Sequence, residues 1–156
     1  ELLNNTPDLM TAIKKMIEEN SDLKKQMEKL LNEKILIIRD QLLSQVQEIN
    51  GVKVIKYESE NITPEMARGL ASQFRTKFAD VKFLFVAGTV SEEKPSLTVC
   101  LSQPMLDLGF DASKMVREAA KEIQGGGGGQ AFLATAGGKD KAGLPKAMSI
   151  IMDLLK

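Results

Sequence analysis

The first third of the chain carries apolar residues at spacings of three and four, as an amphipathic helix does. Thr6-Pro7-Asp8 predicts the helix start: threonine caps free N–H groups, proline suits the first turn, and an acid interacts favourably with the helix dipole. After a phase shift near Leu30 the pattern resumes, and we predict a helix to about Glu48. The N-terminal part of the pattern forms a seam of Leu9, Ile13, Met16, Asn20, Leu23 and Met27.

This seam is predicted to be a homodimer contact. A helix on the order of 60 Å long is longer than the remaining chain could cover, so part of the seam needs another partner. The polar Asn20 fits that view, because one polar residue in a seam fixes register and strand number. Two alternatives stay open: docking of the helix on the globular core, and a helical hairpin with a second cap at Ser21.

Beyond Gly51 the pattern becomes that of a small α/β unit. We expect residues 1–50 to form a coiled-coil-like stalk and residues 51–156 a globular binding domain, which gives the fold class α/β with a glycine-rich loop. The predicted elements are a strand at 52–57, a helix from Thr63-Pro64-Glu65 to Lys77, strands at 81–90 and 96–101, a helix from Asp111 or Ser113 to Ile123, a glycine loop, an extended stretch at 130–136 and a last helix.

Composition excludes most catalytic chemistry. The chain has no histidine, which rules out Ser-His and Cys-His pairs and histidine-containing zinc sites, and one cysteine cannot build a thiolate cluster. We therefore expect no catalytic residue, metal or cofactor in this chain. Lysine plus arginine and aspartate plus glutamate both number 21, so a basic surface must be local. Cys100 lies in an apolar run, which predicts a buried thiol and a reducing compartment. No stretch is long and apolar enough to span a membrane, so we expect a cytoplasmic location. Because the sequence starts at Glu1, we expect it to be a fragment.

The five consecutive glycines Gly125–Gly129 are the most specific feature of the sequence. Ordering them costs conformational entropy, so a folded domain keeps them where the backbone bends unusually or approaches something closely. A flexible linker is the alternative, although about 27 residues follow, too few for a separate domain. A phosphate-binding fingerprint does not match, because the run follows a helix and Gly138-Lys139 precedes Asp140, where that motif has Ser or Thr.

The two glycine segments carry a family resemblance. Gly125–Gly129, a six-residue gap and Ala136-Gly137-Gly138-Lys139-Asp140 are similar to the signature of the DHH-associated domain at the end of alanyl-tRNA synthetases. The resemblance extends over nearly the whole chain, because a long helix rich in Leu, Glu and Lys precedes a small α/β unit in that family. This chain departs from it at 130–135, where family members often read Arg-Pro-Asp-Met-Ala-Gln, so the arginine is missing.

The resemblance implies a parent enzyme that joins alanine to its tRNA with ATP and Mg and edits mischarged tRNA in a separate zinc-dependent domain. This segment would bind the outer corner of tRNA(Ala), help to link the two activities and dimerise. Its tRNA-facing residues would be Gly125, Gly126, Gly127, Gly128, Gly129, Gly137, Gly138, Lys139 and Lys141. The rival is the nucleic-acid-binding domain of a DHH-family phosphodiesterase. A coiled-coil scaffold is a third reading, and it leaves the glycine segments unexplained.

Overall fold

The computed structural model describes residues 8–156, which form two compact units that divide between Ile37 and Ile38. Helix α1, Leu9–Leu43, is continuous through Asn20 and Ser21, so the hairpin alternative is wrong. The predicted start at Thr6-Pro7 lies outside the described residues. Asp8 accepts a hydrogen bond from the Met10 backbone N–H at 3.0 Å, as a residue that caps a helix does.

The second unit is built on one six-stranded sheet. The strands lie in the order β1-β2-β3-β4-β6-β5; β2 and β3 are parallel and every other pair is antiparallel. The elements are β1 Gln47–Ile49, β2 Val52–Ser59, α2 Pro64–Lys77, β3 Phe83–Ser91, β4 Lys94–Leu101, α3 Gln103–Asp107, α4 Ala112–Ala119, β5 Gly126–Gly129, β6 Leu133–Gly137 and α5 Leu144–Asp153. The predicted fold class, a long helix followed by an α/β unit, is confirmed.

Helices cover both faces of the sheet. On one face α2 places Phe74 between Phe83 and Phe85, with ring centroids 6.1 and 5.1 Å away, and buries its whole side chain. On the other face α4 and α5 pack on the alternate strand residues, including Leu84 and Val86. Because β3 is buried on both faces, it reads as a continuous apolar run in the sequence.

The end of α1 also belongs to the core of the second unit. Ile38 and Leu42 are buried there, and the Arg39 guanidinium donates to the Gln73 side chain of α2 at 3.2 Å. The helix ends at Leu43, earlier than the predicted Glu48, because the next residues pair with β2 as strand β1. A functional boundary near residue 50 stays a prediction.

The predicted glycine loop is wrong: Gly126–Gly129 form strand β5 at the edge of the sheet. A Cβ added at Gly125, Gly127 or Gly129 would lie 2.0, 2.2 or 2.6 Å from a carbonyl oxygen of the β6 segment. Side chains would therefore prevent this close strand pairing. At these three positions glycine is required because the neighbouring strand lies so close, and not because the segment must be flexible.

Candidate nucleic-acid interface

The two glycine segments meet at one cleft. Gly126 is paired with Gly137 across β5 and β6, and the cleft beside them has a volume of about 700 Å³. Its lining includes most of the predicted glycine and lysine positions together with the turn between β3 and β4. The lining residues are Pro64, Ser91, Glu92, Lys94, Pro95, Ser96, Gln124, Gly125, Gly126, Gly137, Gly138 and Lys139.

Backbone hydrogen bonds hold the Gly138-Lys139 segment in place. The N–H groups of Lys139 and Asp140 both donate to the Ile123 carbonyl oxygen, at 2.8 and 3.0 Å, and the Gly138 N–H donates to the Pro95 oxygen at 3.0 Å. A Cβ at Gly138 would lie 2.2 Å from the Ile123 oxygen, so glycine is required at this position. The Lys139 side chain is exposed, and the backbone that carries it is held by hydrogen bonds to Pro95 and to Ile123.

Left-handed backbone surrounds the same cleft. Glu92 and Glu93 have φ of 50° and 62° and form the two-residue turn between β3 and β4, and Gln124 has φ of 49° just before the glycines. Non-glycine residues adopt this conformation at a cost, and such residues concentrate at ligand-binding segments. Of these three residues, Glu92 and Gln124 line the cleft.

The charges at the cleft are few and mostly positive. Lys94 and Lys139 line it and form no ion pair within residues 8–156, while Glu92 adds one negative charge. Lys141, predicted to face tRNA, does not line this cleft and instead forms an ion pair with Glu93. The hydrogen bond and charge of Glu93 raise the pKa of Lys141 above its ordinary value. Exposed pairs of this kind are weak and exchange readily for another anion.

The predicted glycine surface is therefore divided. Gly125 and Gly126 line the cleft just described, whereas Gly128 and Gly129 line a second cleft of about 320 Å³. Gly127 lines neither and packs against Ala136. The second cleft is completed by side chains that the sequence analysis did not select, notably Arg68 and Phe132. They lie far apart in the sequence, so no local signal connects them; Lys94 could have been found from its place beside the β3–β4 turn.

The predicted dimer seam lies on the surface of α1 in the first unit. Its apolar members are between 39% and 65% exposed, and Asn20 is exposed among them. The exposed seam members are Leu9, Ile13, Met16, Asn20, Leu23 and Met27. An apolar stripe that remains exposed in one copy is typical of a surface that contacts a partner.

Two other kinds of site have no candidate in the described part of the chain. Within residues 8–156 no three metal-binding side chains of Asp, Glu, Cys or His lie close enough to hold an ion together. No helix in the same range combines the length and the apolar content that membrane crossing needs.

A known domain family and a curated relative match this sequence. The DHHA1 domain model matches residues 44–156. The alanine-tRNA ligase of Bacteroides fragilis is 48% identical over 153 residues, which cover 98% of this chain and 17% of that protein. The chain thus spans about 17% of the length of such relatives.

Solved structures share this fold. The C-Ala domain of alanyl-tRNA synthetase from Aquifex aeolicus superposes with a TM-score of 0.63 and 25% identity, covering 70% of this chain and 96% of that one. RecJ from Thermus thermophilus shares the fold, with a TM-score of 0.56 at 18% identity over 98% of this chain and 21% of that one. The resemblance inferred from the glycine signature is confirmed, and the chain belongs to the DHHA1 domain family.

Proposed function

We propose that this chain is the tRNA-binding and dimerisation part of an alanine-tRNA ligase. In this proposal it binds the outer corner of tRNA(Ala) and helps to link aminoacylation with editing. The parent enzyme uses ATP, Mg and Zn elsewhere, and this chain holds no cofactor. The proposed location is the cytoplasm, and it is supported by the single cysteine, Cys100, which is buried and free and so fits a reducing compartment. A relative that is 48% identical is an alanine-tRNA ligase, which favours this proposal over a DHH-family phosphodiesterase.

The cleft between the glycine segments is the observation that carries the proposal. Gly126 and Gly137 have open space where a side chain would be, so the RNA backbone can approach the protein backbone there. Lys94 and Lys139 stand at the same cleft and supply positive charge without an acidic partner within residues 8–156. Bare backbone next to lysines suits phosphate contacts, which position a nucleic acid without reading its sequence.

The exposed seam on α1 supports the dimerisation part of the proposal. Its apolar side chains lie along a continuous helix, and Leu23 and Met27 are 65% and 59% exposed. Pairing of two such helices removes this surface from water, and Asn20 in the seam selects the register. A second copy of the chain is therefore the proposed partner of the helix.

Charge-neutralising variants test the tRNA contact. Lys139→Gln and Lys94→Gln in the full chain are each expected to weaken binding of a tRNA(Ala) transcript and to reduce the slope of log affinity against log salt by about one. Lys82→Gln is the control, because Lys82 precedes β3 and lies about 30 Å from its other end, where the cleft is. It is expected to leave the salt slope unchanged.

The measurement is fluorescence anisotropy with labelled tRNA at several salt concentrations, with circular dichroism to verify folding. Equal affinities and slopes for wild type, Lys139→Gln and Lys94→Gln would exclude this cleft as the phosphate contact. A wild-type chain that does not bind tRNA at low salt would refute the tRNA-binding proposal as a whole.

A further inference from the structure

The second cleft has side chains that the phosphate-binding cleft lacks. It is open to solvent, has a volume of about 320 Å³ and lies at the outer strands β5 and β6. Its floor is partly bare backbone, from Gly128 and Gly129, and its other walls come from Arg68 of α2 and from Phe132. Neither side chain has a role in the contacts described above.

Phe132 is anchored through its backbone and carries a cation over its ring. Its backbone carbonyl accepts a hydrogen bond from the Leu101 N–H at 2.9 Å, which joins it to the end of β4. The Arg75 guanidinium lies over the ring, 4.0 Å from its centroid. The side chain is half-buried, so the chain keeps an ordered aromatic group at the wall of an open cleft.

The positive charges of the two arginines beside this ring are only weakly neutralised by acidic side chains. Arg75 is half-buried and forms no ion pair with an acid within residues 8–156. Arg68 lies two turns earlier on α2, about 10 Å away along the axis. Its partner is Glu65 at 3.3 Å, and both side chains are at least half exposed, so a phosphate can replace that carboxylate at little cost.

We infer that this cleft binds one unstacked nucleobase of the RNA and the phosphate beside it. The base stacks on the face of the Phe132 ring opposite Arg75, and the Arg68 guanidinium pairs with the phosphate. The absence of side chains at Gly128 and Gly129 admits the edge of the base to the backbone of β5, and Gln130 and Thr135 supply polar groups at the rim. The inference rests on the proposed function, because it names a subsite for the same RNA.

Conservative variants distinguish the contribution of the Phe132 ring to tRNA affinity from that of the Arg68 charge. Phe132→Leu keeps an apolar side chain but removes the stacking surface, and it is expected to weaken tRNA(Ala) binding on the order of 10-fold without changing the salt slope. Phe132→Trp keeps the surface and is expected to retain the affinity. Arg68→Gln is expected to weaken binding and to lower the salt slope by about one. Arg117→Gln is the matched control, because Arg117 lies on α4, near the same Gly128 but on the other side of the sheet.

Phe132→Trp also gives a direct signal, since the chain has no tryptophan of its own. Stacking of a base should quench the indole fluorescence when tRNA is added, and high salt should reverse the quenching. Leu108→Trp, at a position that is 56% exposed, provides a reference indole outside the cleft. Its emission should not change.

The outcomes distinguish the inference from the proposal on which it rests. If the wild type binds tRNA, but Phe132→Leu binds equally well and the indole at 132 is not quenched, the subsite is refuted and the tRNA-binding proposal stands. A loss of affinity in Arg117→Gln as large as in Arg68→Gln would also refute the subsite, because it would indicate general attraction. If the wild type does not bind tRNA, both are refuted.

Discussion

Two neighbouring glycines in β5 offer a sharp test of why the run exists. At Gly127 an added Cβ would lie 2.2 Å from the Thr135 carbonyl oxygen and 2.4 Å from the Ala136 Cα. At Gly126 the same atom would meet nothing within 4 Å. Both substitutions to alanine change one hydrogen into one methyl group in the same strand. They differ only in what that methyl group contacts.

The size of the effect follows from these contacts. The obstacle at Gly127 is backbone, which cannot move away by changing a rotamer, so β5 must separate from β6. Overpacking commonly costs about 1–3 kcal/mol, and we expect Gly127→Ala to lie near the upper end, at about 2–3 kcal/mol. Gly126→Ala restricts the unfolded chain without a clash, so it should be neutral or stabilising by up to about 1 kcal/mol.

Urea and thermal unfolding, followed by circular dichroism, measure the difference. For a chain of this size a loss of 2–3 kcal/mol lowers the melting temperature by about 10 °C. Hydrogen exchange at the amides of β5 and β6 should increase in Gly127→Ala and remain unchanged in Gly126→Ala. If the two variants have the same stability within about 0.5 kcal/mol, close strand pairing is not the reason for the run.

Two further predictions concern the thiol and the helix. Burial raises the pKa of Cys100 from 9.0 to about 12, with Arg75 acting in the opposite direction. Because the folded pKa is the higher one, the unfolded state loses its proton first; wild-type stability should therefore fall relative to Cys100→Ala as pH rises from about 9 towards 12, in urea titrations at each pH. Parallel stability curves would contradict this burial effect. The second prediction concerns the seam on α1: Leu23→Lys should make the chain monomeric in light scattering. Glu18→Lys, which lies outside the seam, should leave a dimer. A wild-type chain that is monomeric at high micromolar concentration would refute the proposed dimer.

Local signals in the sequence were sufficient for most helices and strands. Thr63 was expected to cap a helix, and Asp111 was one of two candidates, with Ser113, for the start of another. The side chains of Thr63 and Asp111 accept hydrogen bonds from the Met66 N–H at 3.2 Å and the Ser113 N–H at 2.8 Å. Such caps involve residues two or three positions apart, so the sequence contains the whole interaction. The continuous apolar run of β3 likewise predicts burial on both faces, because side-chain pattern and burial are directly related.

The sequence also selected part of the candidate interface. The second glycine pair and Lys139 were selected because they match the family signature, and the structure brings both glycine segments to one cleft. Lys141 was selected because it flanks the glycine turn, but Glu93, 48 residues earlier, pairs with its charge. Whether a lysine is free depends on which acids the fold places beside it, and spacing along the chain does not contain that information.

Tertiary structure alone decided that the glycine run is a strand. Glycine has low strand propensity, and its pattern predicts a loop, because local preference reflects the side chain and this run has none. The strand forms because the backbone of Gly126–Gly129 can come close enough to pair with β6, the strand next to it in the sheet. The pairing of Arg75 with Phe132 has the same origin: a cation and a ring 57 residues apart meet because α2 packs on the sheet to which β6, directly after Phe132, belongs. Local hydrogen bonds depend on residues that are close in the sequence. Strand partners and cleft walls depend on how the whole chain packs around its core, so only the tertiary structure determines them.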